Sequence, residues 1–379
     1  MIITTLPITP SVNPNIGTFF SPFTVDFVAN LEGLKAYYAF NLIGRRHVSL
    51  QEACCKLELH APRLEKIGIT ISEENSWLDS SEKSLAEIQS YVRQLYGLRI
   101  LKKEKRIVAQ CPCGAVEILE SRLNNALQGK VLIGNKCSLC HGEVSKKTQR
   151  CLLYTPSPSK VHSSSIWASK EMASLSVAFD KVSLLVSRNR SENPEVVLGG
   201  ESFFLDVDFF WSFYLCCLYE RNSQDEICIV TTHRTLRQAL LACWLLAQVY
   251  PSSPESRLIV LPTIEIVPAR PGGLSSENSI DDFLESLDTF SQRRLFLANG
   301  LGLNQKEVAL SSSLLYWVKQ SIPFPNQIGK VVASIRDTAI SEVNPAIVKS
   351  LMSKLRKNRT LSCIESSIFR AILRDSRTP

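Results

Sequence analysis

The sequence lacks any long hydrophobic segment. No apolar run among its 379 residues reaches the roughly 18 residues that a membrane-spanning helix needs. Residues 203–219 come closest, but Asp206 and Asp208 interrupt that segment. The opening residues also lack the basic region and the long apolar region of a signal peptide. We therefore expect a cytoplasmic protein with no membrane partner.

Histidine is scarce, with five residues in the whole chain. We find no Ser-His-Asp or Cys-His arrangement and no internal repeat, so the sequence assigns no catalytic residue. The 45% of hydrophobic and 21% of charged residues are ordinary for a globular protein. This composition excludes a disordered tail, a collagen-like fibre and a small disulfide-stapled scaffold. The length predicts two or three domains.

The twelve cysteines follow no spacing that is typical of a disulfide framework. Six of them lie in apolar surroundings, where free cysteine behaves as a small hydrophobic residue. We expect these six to be reduced residues of the core. They are Cys54, Cys55, Cys216, Cys217, Cys228 and Cys243.

Four other cysteines form two close pairs, which predict a metal site. The pairs are Cys111-Pro112-Cys113-Gly114 and Cys137-Ser138-Leu139-Cys140-His141-Gly142. Zinc takes four soft ligands in a tetrahedron, and two tight turns supply two thiolates each. Because the first pair is one residue shorter than the usual spacing, His141 and Cys151 stay open as substitute ligands, as does a pair of cysteine turns without metal. We predict a structural zinc held by Cys111, Cys113, Cys137 and Cys140.

The net charge of +7 belongs to the C-terminal fifth of the chain. Residues 301–379 contain twelve Lys and Arg against five Asp and Glu, whereas the first 300 residues contain 31 of each sign. Such local excess favours contact with a polyanion, the alternative being a solvated helical face. The candidate RNA-binding residues are Lys354, Arg356, Lys357 and Arg359.

The order of the predicted elements indicates alternating strands and helices. A β-branched run over residues 1–5, a turn-rich loop over 6–17 and a helix over 19–38 open the chain. An amphipathic helix over 80–95 follows, with Ser80 as its N-cap. A strand over 226–231, a helix over 236–248 and a strand over 257–261 form a second such pass. Further helices are expected over 281–298 and beyond residue 304.

We therefore predict an α/β fold: a split Rossmann-type catalytic-like domain with an inserted zinc-knuckle module and a C-terminal α-helical domain. The first half of the Rossmann-like domain covers residues 1–101, and the inserted module with its linker covers 102–200. The second half covers residues 201–300, and the basic helical domain covers 301–379.

The opening of the chain resembles a class I aminoacyl-tRNA synthetase, most closely methionyl-tRNA synthetase. Residues 6–18 are similar to the end of that family's first strand and its HIGH signature, with Asn15-Ile16-Gly17-Thr18 in place of the tetrad. Residues 64–69 and 80–98 are similar to the family's approach to its zinc knuckle. The paired cysteines lie where that knuckle is inserted.

The resemblance continues in the second half of the chain. Residues 205–211 resemble the family strand that closes the amino-acid pocket, and residues 229–234 resemble the strand and turn below the adenosine site. Gly-Leu-Ser-Ser-Glu at 273–277 stands in place of the KMSKS loop, and 281–297 resembles the helix after it. His233-Arg234 is then a phosphate contact or a surface turn. The residues implied for a substrate pocket, with a core role as the alternative, are Asp208, Trp211 and Tyr214.

Both catalytic signatures depart from the family pattern. Asn15 and Thr18 replace the two histidines, and Gly273 and Ser276 replace the two lysines, so four groups that stabilise charge on ATP are missing. Asn15 and Thr18 then serve equally well as a loop cap and a helix N-cap. Gly17, which lets adenine approach the backbone, is retained. The degenerate nucleotide-binding positions are Asn15, Gly17, Thr18, Gly273, Ser275 and Ser276.

The resemblance and its departures lead to three hypotheses. The first is a synthetase-like protein that no longer activates an amino acid and binds tRNA or aminoacyl-tRNA, with acyl transfer in specialised biosynthesis as its use. The second is a non-catalytic paralogue that binds an amino acid, an adenosine moiety or a protein partner. The third is a divergent, active methionine–tRNA ligase. Zinc is the single cofactor that we predict.

Overall fold

A computed structural model describes residues 1–10, 16–43, 50–66, 68–113, 117–119, 132–133, 136–137, 140–163, 166–179, 182–222, 225–261, 263–267 and 307–311. These residues form an α/β fold around a six-stranded parallel sheet, with a four-stranded antiparallel sheet formed mainly by the middle of the chain. No helix in this part of the chain is long and apolar enough to cross a membrane.

The helices are α1 (Phe20–Glu32), α2 (Leu50–Lys66), α3 (Glu82–Gly97), α4 (Ile166–Phe179), α5 (Val207–Trp211), α6 (Tyr214–Arg221) and α7 (Leu236–Val249). Short 3-10 helices lie at Ile16–Phe19 and His233–Thr235. The strands are β1 (Ile2–Thr5), β2 (Lys35–Phe40), β3 (Ser76–Leu78), β4 (Leu101–Gln110), β5 (Glu117–Leu119), β6 (Leu132–Ile133), β7 (Lys136–Cys137), β8 (Ser145–Tyr154), β9 (His162–Ser163), β10 (Leu184–Leu185), β11 (Ser187–Arg188), β12 (Glu195–Leu198), β13 (Glu201–Leu205), β14 (Ile227–Thr232), β15 (Arg257–Leu261), β16 (Thr263–Val267) and β17 (Glu307–Ser311).

The parallel sheet has the strand order β3-β2-β1-β14-β15-β9. From β1 the chain passes through α1 to β2 on one side, whereas from β14 it passes through α7 to β15 on the other side. The strand order therefore reverses between β1 and β14. In open α/β sheets, ligands bind at such a reversal, beyond the carboxyl ends of the strands. We call this end of the sheet the carboxyl edge.

The two central strands are buried on both faces. Ile2 and Ile3 of β1 and Ile229 and Val230 of β14 have no solvent exposure. Runs of β-branched residues suit such strands because helices cover both sides of a parallel sheet. Helix α1 ends where Gly33 adopts a left-handed conformation with φ of 64°, which a side chain would disfavour. That turn sends the chain into β2.

The inserted module is built on a long antiparallel ladder. Strands β4 and β8 pair over ten residues each, from Leu101 opposite Tyr154 to Gln110 opposite Ser145. Strands β10 and β5 complete this sheet in the order β10-β8-β4-β5. The inner end of the ladder packs into the main core through Leu152 and Tyr154. The outer end carries the first cysteine pair, because β4 ends directly before Cys111.

Several elements agree with the sequence prediction. The strand over 257–261 is confirmed as β15, and the strand and helix before it are confirmed as β14 and α7 with ends shifted by one residue. The fold class is confirmed in its α/β architecture and its parallel sheet. The helices predicted over 281–298 and in most of the chain beyond 304 lie outside the described residues. The helical prediction is wrong for residues 307–311, because this segment forms strand β17 and pairs with β16. The division of the chain into four segments stays a prediction.

Other elements differ from the sequence prediction. The predicted helix over 19–38 is wrong beyond Glu32, because Gly33 ends α1 and the Tyr-rich segment that follows forms β2. The strand expected over 205–211 is also wrong: β13 ends at Leu205, and Asp206 caps a helix instead. The N-cap of α3 is Ser81 rather than Ser80.

The expectation that six cysteines lie in the core is confirmed for four of them. Cys216, Cys217, Cys228 and Cys243 are buried. Cys55 is exposed and Cys54 is half-buried, because their positions on α2 face partly outward. An apolar neighbourhood in sequence therefore did not identify which side of this helix is buried.

Candidate functional site

The four paired cysteines lie together. One ligand atom from each of Cys111, Cys113, Cys137 and Cys140 falls within 4.8 Å of every other. The Sγ atoms of Cys111 and Cys113 are 3.2 Å apart, and those of Cys113 and Cys137 are 3.9 Å apart. Zinc–sulfur bonds of about 2.3 Å in a tetrahedron place the sulfurs roughly 3.8 Å apart. The donor set therefore fits zinc, and this cluster could hold such a metal.

The second cysteine pair forms a tight turn that the sequence supports. The His141 N–H donates to the Cys137 carbonyl and the Cys137 N–H donates to the Gly142 carbonyl, both at 3.0 Å. A Cβ on Gly142 would meet Pro112 Cδ at 3.1 Å and Cys140 Sγ at 3.3 Å. A side chain at this position would therefore displace its neighbours by a few tenths of an ångström, because the two turns approach each other at this point. Pro112 gives the first turn a rigid wall for that contact.

His141 and Cys151 were left open as substitute ligands. Neither belongs to the group of side chains that could hold a metal among the described residues. Cys151 lies on β8 in a different apolar cluster, with Val108 and Leu153. Burial raises the pKa of its thiol, which disfavours the thiolate that a metal needs. The short spacing between Cys111 and Cys113 still brings both sulfurs to the cluster. The four-cysteine prediction is therefore supported.

A second group of polar residues lies at the carboxyl edge of the parallel sheet. Asp79 directly follows β3, and its carboxylate is fully buried. It accepts hydrogen bonds from the Leu42 N–H at 2.7 Å and the Ile43 N–H at 3.1 Å, just beyond β2. It also accepts one from Trp211 Nε1 at 2.6 Å. One carboxylate therefore joins the ends of two strands to helix α5.

The pKa of Asp79 is raised to about 6 because burial disfavours the charged form, although the donors around it act in the opposite direction. A raised folded-state pKa means that the folded protein binds this proton more tightly than the unfolded chain does. The stabilisation of the fold by the protonated Asp79 side chain is therefore fully present below about pH 4, and it is lost as the pH rises through 6.

We expect this effect to show in a comparison of wild type with Asp79→Asn. The difference in unfolding free energy, wild type minus variant, should fall by up to about 3 kcal/mol between pH 4 and pH 7, since the variant has no proton to lose. Urea denaturation at a series of pH values measures it. Replacement of the more exposed Asp225 by Asn provides the matched control. A difference that stays constant across this range would contradict a raised pKa.

Helix α5 places two of the predicted pocket residues near this edge. Asp206 caps the helix by accepting from the Asp208 and Phe209 N–H groups. Asp208 then accepts from Gln238 Nε2 of α7 at 3.0 Å. Trp211, one turn further along, reaches Asp79. Trp211 and Asp208 therefore lie one turn apart on α5. Trp211 is hydrogen-bonded to Asp79 after β3, and Asp208 is hydrogen-bonded to Gln238 of α7.

Tyr214, the third predicted pocket residue, lies in the core instead. Its side chain is fully buried, and its ring centroid is 5.8 Å from that of Trp77. Its hydroxyl has no hydrogen-bond partner within the described part of the chain. Burial raises its pKa well above the usual value, so the phenol stays neutral.

An arginine connects helix α5 to the inserted module. Arg188 Nε donates to the Asp206 carboxylate at 2.6 Å, and Arg188 Nη1 donates to the Glu117 carbonyl. The Glu117 carboxylate accepts from the Asn189 N–H at 2.9 Å. Ile118, the next residue of β5, packs against Cys111 and Cys137. The cysteine cluster and the cap of α5 are therefore linked through one strand.

The structure describes only some of the residues that were predicted to bind a nucleotide or RNA. Gly17 and Thr18 lie in the 3-10 helix directly before α1, and so at the carboxyl edge, since α1 runs back from there to the start of β2. Thr18 is half-buried. His233 and Arg234 form the short helix that follows β14 at the same edge. Other positions lie outside the described residues: Asn15, Gly273, Ser275, Ser276, Lys354, Arg356, Lys357 and Arg359.

Two residues near this edge were missed by sequence reasoning. Asp79 directly follows a strand of three residues, which is too short for its pattern to be recognised. His60 of α2 is fully buried, stacks on Phe19 at 5.1 Å, and has no hydrogen-bond partner for either ring nitrogen among the described residues. Burial and the nearby Arg63 lower its pKa to about 4, so the ring is neutral at pH 7. Its contact with Phe19 places it beside the signature segment.

The described fold, with its parallel sheet, its reversal point and the inserted cysteine module, resembles that of solved methionyl-tRNA synthetases. Among solved structures, the chain is similar to Mycobacterium tuberculosis methionyl-tRNA synthetase bound by methionyl-adenylate, with 11% identity, a TM-score of 0.66, and coverage of 99% of this chain and 82% of that chain. The free-state form of that enzyme gives 10% identity, a TM-score of 0.61, and coverage of 99% and 79%. At these identities the similarity shows the fold alone. The sequence matches no protein-family model and no curated protein.

Proposed function

We propose that this chain binds tRNA or aminoacyl-tRNA on a synthetase-like fold without activating an amino acid with ATP. The observation that carries the proposal is the residue at the start of α1. Thr18, a neutral hydroxyl, stands at the carboxyl edge of the sheet, where the family signature has a histidine. The comparison enzyme that shares the fold is one bound by methionyl-adenylate. The replacement of histidine by Thr18 therefore falls at the edge of the sheet where adenylate chemistry is expected.

The loss of activation follows from electrostatics. Adenylate formation builds negative charge on the phosphates of ATP, which preorganised donors and cations must stabilise. Asn15, Thr18, Gly273 and Ser276 are all neutral and supply no such charge. Gly17 still leaves room for the backbone to approach an adenine ring. We infer that the edge retains a place for an adenosine moiety and has lost the means to react its triphosphate.

The pocket residues would then hold a ligand that arrives already activated. Trp211 and Asp79 form a hydrogen-bonded pair at the carboxyl ends of β2 and β3, with Asp208 one turn away from Trp211 on α5. An aminoacyl-tRNA carries its amino acid as an ester, so its transfer to an acceptor needs no adenylate. Acyl transfer in a specialised biosynthesis is therefore the use that we assign to this binding.

The zinc that the four cysteines would hold is a structural group in this proposal. Four thiolates leave no coordination position for a substrate. The four cysteines fix the two turns. Arg188 links this part of the module to helix α5, because it donates to both the Glu117 carbonyl and the capping Asp206 carboxylate. In the basic tail, Lys354, Arg356, Lys357 and Arg359 would contact RNA phosphates.

Two other functions make different predictions for the same molecule. A non-catalytic paralogue that binds an amino acid or a protein partner would not bind tRNA. A divergent methionine–tRNA ligase would bind tRNA and also form an adenylate, with its phosphate donors supplied from other positions.

Filter binding with unfractionated tRNA tests the proposed partner. We expect saturable binding that weakens as salt increases, with a log–log slope of about −0.7 to −0.9 for each phosphate contacted. Duplex DNA of the same mass is the control for general polyanion binding, and tRNA should bind more tightly. Absence of saturable tRNA binding at about 0.1 M salt, where such contacts are only partly screened, would favour the paralogue instead.

A further inference from the structure

The four sulfurs of the cysteine cluster differ in their access to solvent. Cys140 is exposed and Cys113 is half-buried, whereas Cys111 and Cys137 are buried. Each of the two turns therefore presents one sulfur toward solvent and keeps the other inside. Oxidation of cysteine follows the exposure and the thiolate character of the sulfur. A small oxidant that approaches from solvent would therefore meet Cys113 or Cys140 first.

The first turn brings its two sulfurs close together. Cys111 and Cys113 are separated by Pro112 alone, and their Sγ atoms are 3.2 Å apart. Zinc–sulfur bonds of about 2.3 Å in a tetrahedron would hold two sulfurs roughly 3.8 Å apart, and the Sγ atoms of Cys113 and Cys137 lie near that distance, at 3.9 Å. The contact between Cys111 and Cys113 is therefore shorter than zinc coordination by itself requires. Cys113 is thus partly accessible and in direct contact with a buried sulfur.

Cys111 is held in place by the strand ladder. It directly follows β4, whose pairing with β8 continues to Gln110 opposite Ser145. The Ser145 hydroxyl also donates to the Gln110 carbonyl at 3.2 Å. Cys111 packs in an apolar cluster with Ile118, and Cys113 packs against this cluster. The contact between the two sulfurs is therefore part of the folded module, and the buried sulfur can react with its neighbour without a rearrangement of the ladder.

We propose that Cys111 and Cys113 form a disulfide when the protein meets a hydroperoxide, so that the metal site is also a reversible oxidation switch. The thiolate form of cysteine that zinc requires is also the form that reacts with peroxides. The inference goes beyond the proposed function and rests on the four-thiolate site alone. It holds whether or not the chain binds tRNA.

The reaction with hydrogen peroxide has two steps. In the first, the Cys113 thiolate attacks one peroxide oxygen: an S–O bond forms, the O–O bond breaks, and the other oxygen leaves as hydroxide, which takes up a proton to give water. Cys113 becomes a sulfenic acid, oxidised by the two electrons that the peroxide gains. In the second, the Cys111 thiolate attacks the Cys113 sulfur: the S–S bond forms, the S–O bond breaks, and the departing hydroxide takes up a proton. Two thiolates, one peroxide and two protons thus yield one disulfide and two waters.

The disulfide removes two of the four thiolates that would hold zinc. Cys137 and Cys140 cannot complete a tetrahedral site by themselves, so the metal would leave. Because the folded form of such a site depends on its metal, we expect the oxidised protein to lose the turn in which the Cys137 N–H donates to the Gly142 carbonyl. Reduction of the disulfide by a thiol, followed by addition of zinc, would restore the turn.

The first test uses the full-length, zinc-loaded wild-type protein and a small molar excess of hydrogen peroxide. A chromogenic chelator in the solution records zinc release, and mass spectrometry of the thiol-blocked tryptic peptide 107–122, which contains no cysteine other than Cys111 and Cys113, records the disulfide. We expect zinc to be released while this peptide loses two hydrogens, and dithiothreitol with fresh zinc to restore about one equivalent of metal. Zinc that stays bound under peroxide, or zinc release without this disulfide, would overturn the proposal.

Histidine variants separate this pair from general oxidation of the cluster. Cys113→His keeps a zinc ligand, since three thiolates and one imidazole form a common structural site, but it cannot form the disulfide. We expect peroxide to release zinc from this variant at least about tenfold more slowly than from wild type. Cys140→His makes the same exchange in the other turn, keeps the pair, and should still release its zinc with the disulfide in place. Equal rates from the two variants would mean that the pair has no particular role, which would contradict the assignment.

A thiol outside the cluster provides a further control. Cys55 is exposed on α2, and Cys55→Ser should release zinc under peroxide at the wild-type rate. A slower release from Cys55→Ser would place the reactive sulfur elsewhere and overturn the proposal. Wild type that contains no zinc before oxidation would remove both the four-thiolate site and this inference, while the tRNA binding assay would still decide the proposed function.

Discussion

Replacing Cys137 by Ser is expected to abolish metal binding and to unfold the outer end of the inserted module. Cys137 is fully buried and packs with Cys111 and Ile118, and its N–H holds the turn at Gly142. Structural zinc sites contribute about 10 to 16 kcal/mol of apparent binding energy, so the folded form of such a module depends on its metal. Wild type purified without chelator should contain about one equivalent of zinc, and the variant close to none.

The matched control for this prediction is Cys151→Ala. Cys151 is equally buried, lies on β8 of the same module, and is absent from the cysteine cluster. Its variant should lose some packing energy and keep its zinc. Elemental analysis and thermal melting measure the two effects separately. Wild type with less than about half an equivalent of zinc, or a Cys137→Ser variant with a full equivalent, would contradict the four-thiolate site.

The strands and helices that the sequence predicted correctly are those in which one local signal dominates. The β-branched runs of β1, β14 and β15 and the apolar stripe of α7 are readable because buried parallel strands and amphipathic helices have distinct periods. The cysteine cluster was also predictable, since close pairs of thiols have few uses other than metal binding in a reduced chain.

The errors arise where tertiary contacts decide the local structure. The helix predicted over 19–38 extends past Glu32, yet Gly33 turns the chain and residues 35–40 form β2 beside β1. Residues 207–211 form a helix because Asp206 caps it and Arg188 holds that cap. Strand β1, which pairs with β2, and Arg188, which contacts Asp206, are both distant in sequence from the residues that they hold.

The side-chain contacts at the carboxyl edge also could not be predicted from local sequence patterns. Trp211 was proposed for a pocket, but its partner Asp79 is 132 residues away and follows a very short strand. A pair of this kind depends on which strands become neighbours, and no spacing rule contains that information. Tyr214 was named with Trp211 as a residue of the pocket that the resemblance implies, with a core role as the alternative; it begins the next helix, α6, and is fully buried in the core.

Amino-acid activation is expected to be lost by a large factor. Removing one donor that stabilises developing charge typically costs about 10² to 10³ in rate. At four positions of the two signatures, Asn15, Thr18, Gly273 and Ser276, the imidazole or ammonium group of the family residue is missing. Even with far from additive effects, the rate should be at least about 10⁴ below that of an active methionyl-tRNA synthetase. Restoring all four family residues together would recover part of that rate if the rest of the fold is competent.

The most direct test of the account is amino-acid-dependent exchange of pyrophosphate into ATP, assayed with each of the twenty amino acids. Thermal melting and zinc content establish first that the sample is folded, and the Mycobacterium tuberculosis enzyme serves as the positive control. The account predicts no exchange above background with any amino acid, while the same sample binds tRNA. Methionine-dependent exchange within about tenfold of the control enzyme, a difference of about 1.4 kcal/mol in activation free energy, would contradict it and identify an active ligase.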